Sequence, residues 1–141
     1  MIIETKFSGQ IEINDDDIIN FQEGLFGFED LKKYVVIDID DFFKSLQSIE
    51  KKEAAFIVIN PWDTFKDYEI DINDEELLAF KDKDINNFRV FSILTITEQT
   101  MTANLIGPIV INTLSRQGKQ IVLYKSSYTT KHNIMQFAKK D

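Results

Sequence analysis

The chain has 141 residues, 43% of them apolar and 28% charged, a composition typical of a folded globular domain. It contains no cysteine, which excludes a disulfide scaffold, thiolate metal ligands and thiol nucleophiles. No apolar run approaches the roughly 20 residues that a membrane-spanning helix needs. The sequence therefore predicts a soluble, cytoplasmic, single-domain protein that does not associate with a membrane.

Charge is distributed unevenly along the chain. The net charge is −8, but residues 1–88 contain 9 basic and 22 acidic residues, whereas residues 89–141 contain 7 and 2. An acidic protein repels phosphate backbones, so direct nucleic-acid binding is not expected. A negative surface attracts basic proteins over a long range, which makes a basic protein partner one interpretation. The other is that the charge only maintains solubility.

Short apolar runs separated by turn residues predict strands from the beginning of the chain. Ile2–Phe7 and Ile11–Ile13 flank Gly9, which can adopt the positive φ of a hairpin turn. Alternation of apolar and polar residues predicts strands around Val35–Ile39 and Tyr68–Ile72, each with an acidic outer face.

The second half of the chain continues the pattern. The apolar run Ala54–Ile59, which ends before Asn60 and Pro61, predicts a strand covered on both sides. The remaining predicted strands are Phe88–Ile96, Met101–Ile106, Ile109–Asn112 and Gln120–Tyr124, with turns at residues 107–108 and 116–118.

One helix is predicted, beginning at Asn73 or Asp74, with Glu75 and Glu76 in its first turn, where the helix dipole favours acids. Leu31–Tyr34 is expected to form at most a single turn. Many short strands with Gly and Pro turns predict an all-β fold, an antiparallel β-barrel-like single domain with one short helix.

Few residues could support catalysis. His132 is the only histidine, which leaves one poorly placed candidate for acid–base chemistry. Gly118 and Lys119 lack the other residues of a phosphate-binding loop and are interpreted as a hairpin turn. The acidic clusters lack the glycine and distal glutamate of a calcium loop, so they are interpreted as solvated surface, with a weak surface Mg²⁺ or Ca²⁺ site as the alternative. No metal and no cofactor are expected.

Several aromatic residues fall outside the alternating core positions. Phe26, Phe42, Phe43, Trp62 and Phe65 lie in predicted loops or at strand ends. Either they close the ends of the barrel, or some are exposed beside the acidic faces and form a protein-binding patch, since aromatic anchors contribute most of the energy of interfaces.

The segment from Phe21 to Asp30, FQEGLFGFED, resembles the flagellar assembly factor FliW family, which has Glu-Gly-Leu followed by Gly-Phe-Glu in this spacing. The resemblance continues at Asn60-Pro61, at residues 102–105 and 108–112, and near Gly118, and it covers nearly the whole chain. It implies a FliW-like β-barrel domain over residues 1–128, followed by a basic, flexible C-terminal tail over residues 129–141. The motif positions that it singles out are Gly24, Leu25, Gly27, Phe28, Glu29, Asn60, Pro61, Asn104, Pro108 and Asn112.

These motif positions have two interpretations. Gly24 and Gly27 would let a loop turn, Leu25 and Phe28 would attach it to the core, and Glu29 could accept backbone N–H groups. Asn104 and Asn112 could cap unpaired backbone groups near Pro108. Such residues either hold loops in shape or contact a partner directly.

The resemblance implies a non-enzymatic protein that antagonises CsrA, an RNA-binding regulator that represses flagellin translation. It also implies that flagellin binds the protein and thereby restores repression. The residues that we expect to bind a partner are Asp38, Asp40, Asp41, Glu69, Asp71 and Asp74 as charges, with Trp62 and Phe65 as apolar anchors. The alternatives are a flagellin-specific chaperone, which would bind through an apolar groove, and a small β-barrel hydrolase, which would need carboxylates of perturbed pKa in a deep pocket.

Overall fold

The computed structural model of the protein describes residues 1–124 and 126–134, and most of its regular structure is β-sheet. The strands within these residues are β1 (Ile2–Glu4), β2 (Gln10–Glu12), β3 (Ile19–Asn20), β4 (Lys33–Asp38), β5 (Lys44–Ser48), β6 (Ala55–Ile59), β7 (Phe88–Ile96), β8 (Met101–Ala103), β9 (Ile109–Asn112), β10 (Gln117–Gln120) and β11 (His132–Asn133). The described helices are α1 (Asp74–Leu78) and the 3-10 turns Asp15–Asp17, Pro61–Asp63 and Ile85–Asn87. The prediction of an all-β fold with one short helix is confirmed.

Hydrogen bonds join the central strands of the described chain into a ring, in the order β7-β6-β5-β4-β3-β10-β9 and back to β7. Neighbouring strands in it are antiparallel except β3 and β10, which run parallel and meet at one residue pair, Asn20 with Gln117. β8 pairs with the end of β7, and β11 pairs with β8, outside the ring. The barrel-like topology is therefore a hydrogen-bonded ring within a larger mixed sheet and not a true barrel.

Alternating side chains of the ring strands enter different apolar clusters, because successive residues of a strand face opposite sides. In β6, for example, Val58 belongs to a cluster inside the ring and Ile59 to one outside it. The inner cluster contains Ile19, Phe21, Leu25, Tyr34, Leu46, Val58, Ile109 and Ile111. The outer cluster contains Ile59, Tyr68, Phe80, Leu94, Ala103, Leu105, Val110, Ile121, Leu123 and Ile134. Both faces of the β6–β7–β9 part of the sheet are thus buried.

The hairpin of β1 and β2 covers the outer face of β4. Ile3 and Ile13 pack there with Val35, while Tyr34, the preceding residue of β4, is buried in the inner cluster. The predicted hairpin and the positive φ of Gly9, +67°, are confirmed. Val35 and Ile37, the predicted buried face of β4, therefore lie beneath the hairpin. On the predicted acidic face, Val36 packs against the inner cluster and Asp38 is exposed, so the acidic character begins only at the end of the strand.

Strand β5 was not predicted because its sequence, KSLQS, is mostly polar. Gln47 is nevertheless fully buried, and its amide is satisfied by backbone groups. Its Nε2 donates to the carbonyls of Ser48 (2.9 Å) and Lys52 (3.0 Å), and its Oε1 accepts from the N–H of Lys6 (2.9 Å). A hydrogen-bonded polar side chain can replace an apolar one in a core, so burial does not follow hydropathy here.

Three predicted elements are wrong. Residues 68–73 form no strand, although Ile70 and Ile72 pack against the outer cluster as their alternation predicts. Leu31–Tyr34 is not a helical turn, because β4 begins at Lys33. The predicted strand Gln120–Tyr124 lies too late in the chain, because β10 ends at Gln120.

The turn before β10 accounts for this displacement. Arg116 has a φ of 57° and so adopts the left-handed conformation, which would be expected for the glycine of this turn. Gly118 instead lies inside β10, where a Cβ atom would be 2.4 Å from the Phe21 ring. Gly118 therefore serves close packing against the inner cluster, and the expectation that it forms a hairpin turn is wrong.

The chain after β10 returns to the outer cluster. The carbonyl of Thr129 accepts the N–H of Leu105 (3.0 Å), β11 pairs with β8, and Ile134 is buried. Residues 129–134, which fall within the predicted flexible tail, thus pack on the body of the protein. Residues 135–141 of that tail lie outside the described residues, and the division of the chain at residue 128 stays a prediction.

Candidate functional site

The turn between β4 and β5 presents three of the acidic residues singled out in the sequence. Asp38 forms an ion pair with Lys44 at 2.6 Å, and Asp41 is exposed. Asp40 accepts the backbone N–H groups of Phe43 (2.7 Å) and Phe42 (2.9 Å), and these hydrogen bonds lower its pKa. Asp40 therefore stays charged while it shapes the turn.

The two proposed aromatic anchors lie partly inside the protein. Asn60 caps the 3-10 turn Pro61–Asp63 by accepting the N–H of Trp62 (2.9 Å). The Trp62 indole N–H donates to the carbonyl of Tyr68 (2.7 Å), and the Phe65 ring lies 6.0 Å from that of His132. Both side chains are half-buried against the outer cluster, as are Phe42 and Phe43. Each of the four thus covers the core and exposes only part of its ring.

Glu69, Asp71 and Asp74 lie on the segment that leads into α1, and all three are exposed. Asn73 caps α1 by accepting the N–H of Glu76 (2.8 Å), which confirms the predicted helix start. Glu69 and Asp71 line an open groove of about 660 Å³, whose other wall is formed by residues 122–124 and 126–128. We call this the acidic groove, because its described lining includes two carboxylates and no basic residue.

The β4–β5 turn and the acidic groove both adjoin the outer cluster. Phe42 and Phe43 of the turn pack against it, and so do Ile70 and Ile72 of the groove wall. The six predicted charges therefore lie on two segments whose apolar side chains pack against one cluster. We call these six residues the acidic face: Asp38, Asp40, Asp41, Glu69, Asp71 and Asp74.

The segment FQEGLFGFED forms a tight loop at the inner cluster. Gly24 has φ +67°, and a Cβ atom there would lie 2.7 Å from Glu29 Cα and from the Phe28 carbonyl oxygen. Leu25 is buried, and its carbonyl accepts the N–H of Phe28 (2.8 Å). Glu29 accepts the N–H of Gly27 (2.9 Å), and this bond is the main cause of its lowered pKa. These motif residues hold the loop in shape.

The same loop exposes two aromatic side chains. Phe26 is 55% exposed and Phe28 is 40% exposed, and the Phe28 ring contacts that of Phe56 at 5.0 Å. The N–H of Phe26 donates to the Gln120 side chain (3.0 Å), which itself donates to the carbonyl of Gly107. The loop is thereby fixed to the end of β10 with its aromatic rings outward.

The other motif residues act as local caps. Asn104 accepts the N–H of Gly107 (2.9 Å), ahead of the buried Pro108. Asn112 is fully buried, and its Oδ1 accepts the N–H groups of Leu114 and Ser115, both at 2.9 Å.

The Asn112 amide also forms a hydrogen bond that lowers the pKa of the Asp82 carboxylate. Its Nδ2 donates to Asp82 at 2.9 Å, and Asn87 donates to the same oxygen at 2.7 Å. These bonds, with that of Asn112 the largest contribution, lower the pKa of Asp82. Asn112 therefore ties the turn after β9 to the segment that precedes β7.

Sequence reasoning missed an ion triad beside α1. Lys119 of β10 lies 2.7 Å from Glu76 and 3.3 Å from Glu23, and the hydrogen bond to Glu76 is the main cause of its raised pKa. No sequence signal identifies this triad, because Glu76 and Glu23 lie 43 and 96 positions before Lys119. It connects the motif loop, the ring and α1.

The geometry gives little support to catalysis. The carboxylates with clearly shifted pKa values, those of Glu29, Asp40 and Asp82, are all lowered, which is opposite to what a general acid requires. Within the described residues no group of three acidic or histidine side chains is arranged to hold a metal ion. No helix in the described part of the chain is long and apolar enough to cross a membrane.

Comparison with known proteins agrees with the motif loop and the ring. The family model described as FliW protein matches residues 2–134. The chain belongs to the FliW family. The flagellar assembly factor FliW of Bacillus velezensis is 43% identical over 138 residues, which cover 95% of this chain and 96% of that protein. The Bacillus subtilis protein of the same name is 41% identical with the same coverage.

A solved structure supports the FliW fold independently. The crystal structure of the flagellar assembly factor FliW matches with a TM-score of 0.90 and 37% sequence identity, covering 94% of this chain and 96% of that one. The FliW family consists of flagellar assembly factors and not of enzymes, so the hydrolase alternative is set aside.

Proposed function

We propose that the protein is a cytoplasmic antagonist of the translational regulator CsrA and also binds flagellin, so that flagellin displaces it and restores repression of flagellin translation. Membership of the FliW family supports a role in flagellar assembly. The observation that carries the proposal is the acidic face, whose exposed charges lie on two segments that pack against one apolar cluster. A basic RNA-binding protein is a partner that such a surface attracts.

The mechanism follows from the sign of the charge. The acidic face would bind basic residues of CsrA while its negative field opposes RNA on the same molecule, since RNA is a polyanion. Trp62 and Phe65 would add apolar contact at the exposed parts of their rings. The charges would chiefly determine the rate and specificity of association.

A salt titration tests this proposal. The affinity of the purified protein for CsrA, measured by calorimetry, should fall several-fold as salt rises from about 0.05 M to about 0.5 M. Asp71→Lys should weaken binding further, whereas Asp16→Lys should not. Asp16 is a matched control because it is exposed, lies in the 3-10 turn Asp15–Asp17, and has no side-chain hydrogen bond within the described residues. Affinity that responds neither to salt nor to Asp71→Lys would show that the acidic face is not the docking surface.

Flagellin tests the second half of the proposal. Added to the preformed complex, it should release CsrA. Failure of either protein to bind the purified chain would contradict the switch.

A second candidate function, a flagellin-specific chaperone that does not bind the regulator, is favoured by the exposed rings of Phe26 and Phe28. An apolar contact of that kind should be nearly independent of salt. Flagellin binding that Phe26→Ser abolishes, together with no CsrA binding at any salt concentration, would establish the chaperone instead.

A further inference from the structure

One wall of the acidic groove contains backbone groups that have no hydrogen-bond partner among the described residues. Ile121 and Leu123 donate their N–H groups to the carbonyls of Pro108 (3.0 Å) and Ile106 (2.8 Å). Successive peptide groups of an extended chain point to opposite sides, so the N–H and C=O of Val122 face away from residues 106–108. Val122 lines the groove, and within the described residues neither of these groups forms a hydrogen bond.

The opposite wall also contains backbone N–H groups without a partner in the described part of the chain. The N–H of Glu69 donates to the Tyr128 hydroxyl (2.9 Å), but the N–H groups of Ile70, Asp71 and Ile72 form no hydrogen bond with the described part of the chain. Ile70 and Ile72 pack against the outer cluster, which leaves the alternate side chains, Glu69 and Asp71, exposed. Each carboxylate therefore lies beside open backbone in a space of about 660 Å³.

An extended segment whose N–H and C=O groups are free can pair with an added strand in the same way as the edge of a sheet. Residues at alternate positions of an added strand face the same side, as Glu69 and Asp71 do. We propose that the acidic groove binds an extended peptide segment, paired through its backbone with Val122 and carrying Lys or Arg at alternate positions near Glu69 and Asp71.

This inference rests on the proposed function, because it specifies the kind of partner segment that the acidic face receives. The charge of the groove selects the occupant. An acidic segment or a nucleic acid would be repelled by two carboxylates that no described lining residue neutralises. Tyr124, 87% exposed at the rim, offers an aromatic surface to the apolar residues that alternate with the basic ones.

The probe is a synthetic peptide of eight residues in which Lys and Val alternate, labelled with a fluorophore and titrated with the full-length protein. Its affinity should exceed that of a peptide of the same composition with its four Lys residues in one block. Two further peptides, N-methylated at every Lys or at every Val, test the backbone pairing. One of the two should bind about tenfold more weakly, because its missing N–H groups are those that face Val122, and the other should bind normally.

Variants of the protein test the two walls separately. Glu69→Gln combined with Asp71→Asn should weaken the alternating peptide about fivefold, and the control Asp16→Asn should leave its affinity unchanged. Val122→Pro removes an N–H that has no partner in the described residues, and it should weaken the peptide while the thermal midpoint stays within a few degrees. If that variant unfolds, the N-methylated peptides still decide the question.

Equal binding of the two N-methylated peptides, or equal binding of the alternating and block peptides, would overturn the inference. CsrA is titrated in parallel so that the two proposals fail separately. If CsrA binds in a salt-dependent manner and no peptide binds, the peptide inference is wrong and the proposed function stands. If the peptides behave as expected and CsrA does not bind, the groove inference stands and CsrA is not the partner.

Discussion

Two glycines of the motif loop provide a matched test of how the loop is built. Gly24 and Gly27 both have positive φ, +67° and +87°, so alanine at either position is strained by about 1 kcal/mol. They differ in their surroundings. A Cβ atom at Gly24 would lie 2.7–2.8 Å from the backbone of Phe28 and Glu29, whereas one at Gly27 would have nothing within 4 Å.

We expect Gly27→Ala to destabilise the protein by about 1 kcal/mol and Gly24→Ala by about 3 kcal/mol, because only the second substitution forces rigid backbone apart. Equilibrium unfolding in urea, followed by the fluorescence of Trp62, the single tryptophan, measures both values. Subtracting the two values, expected to differ by about 2 kcal/mol, cancels the cost of the positive φ that both variants share and leaves the steric cost at Gly24. Two variants that agree within about 0.5 kcal/mol would refute the steric explanation of Gly24.

Three further predictions concern buried polar groups. Asn112→Ala leaves two backbone N–H groups without an acceptor and should lower the free energy of unfolding by about 2–4 kcal/mol, whereas the exposed Asn86→Ala should change it by less than about 0.5 kcal/mol in the same urea assay. Tyr68→Phe loses the hydrogen bond to the Leu105 carbonyl (2.7 Å) and should lower the free energy of unfolding by about 1 kcal/mol. Tyr34→Phe should be neutral or stabilising, because the buried Tyr34 hydroxyl has no partner in the described residues. The thermal midpoints of the two variants measure the contrast. The pKa of Asp82 is lowered in the folded protein, so its contribution to stability is present above the unfolded pKa, near 4, and is lost as pH falls through the folded pKa. Asp82→Asn should therefore flatten the dependence of stability on pH between about 5 and 2. An unchanged slope would contradict this.

Much of the fold could be predicted from the sequence because its central strands have strong apolar patterns. β6 and the first three residues of β9 are continuous apolar runs, and the structure buries both of their faces. β5 could not be predicted, because the burial of Gln47 depends on backbone partners at Lys6 and Lys52 that only the folded chain brings together. Hydropathy describes a side chain alone and not its hydrogen-bond partners.

The error at residues 68–72 has a different cause. Alternation correctly predicted that Ile70 and Ile72 face the core and that Glu69 and Asp71 face solvent. It could not show whether another strand lies alongside, since the same alternation occurs in any extended segment laid over a core. The backbone N–H groups of this segment, which have no partner among the described residues, form part of the peptide site proposed for the acidic groove.

The candidate site was predictable as a set of charges but not as a place. Asp38, Asp40, Glu69 and Asp71 were identified because they alternate with apolar residues, and the roles of the acidic residues in binding stay a prediction. The groove itself could not be found, because its second wall, residues 122–124 and 126–128, begins 49 positions after the first wall ends at residue 73.

The parallel contact between β3 and β10 has a consequence for how the protein folds. Every other junction of the described ring joins antiparallel strands, but this one consists of the pair Asn20 and Gln117 and a hydrogen bond from the Asn20 N–H to the Arg116 carbonyl (2.9 Å). It connects parts of the chain that are far apart in sequence, and the entropy of closing so long a loop is offset by few local bonds. We therefore expect this junction to form last during refolding and to open first in the native state, so that amide hydrogen exchange at residue 20 is faster than in the middle of β4.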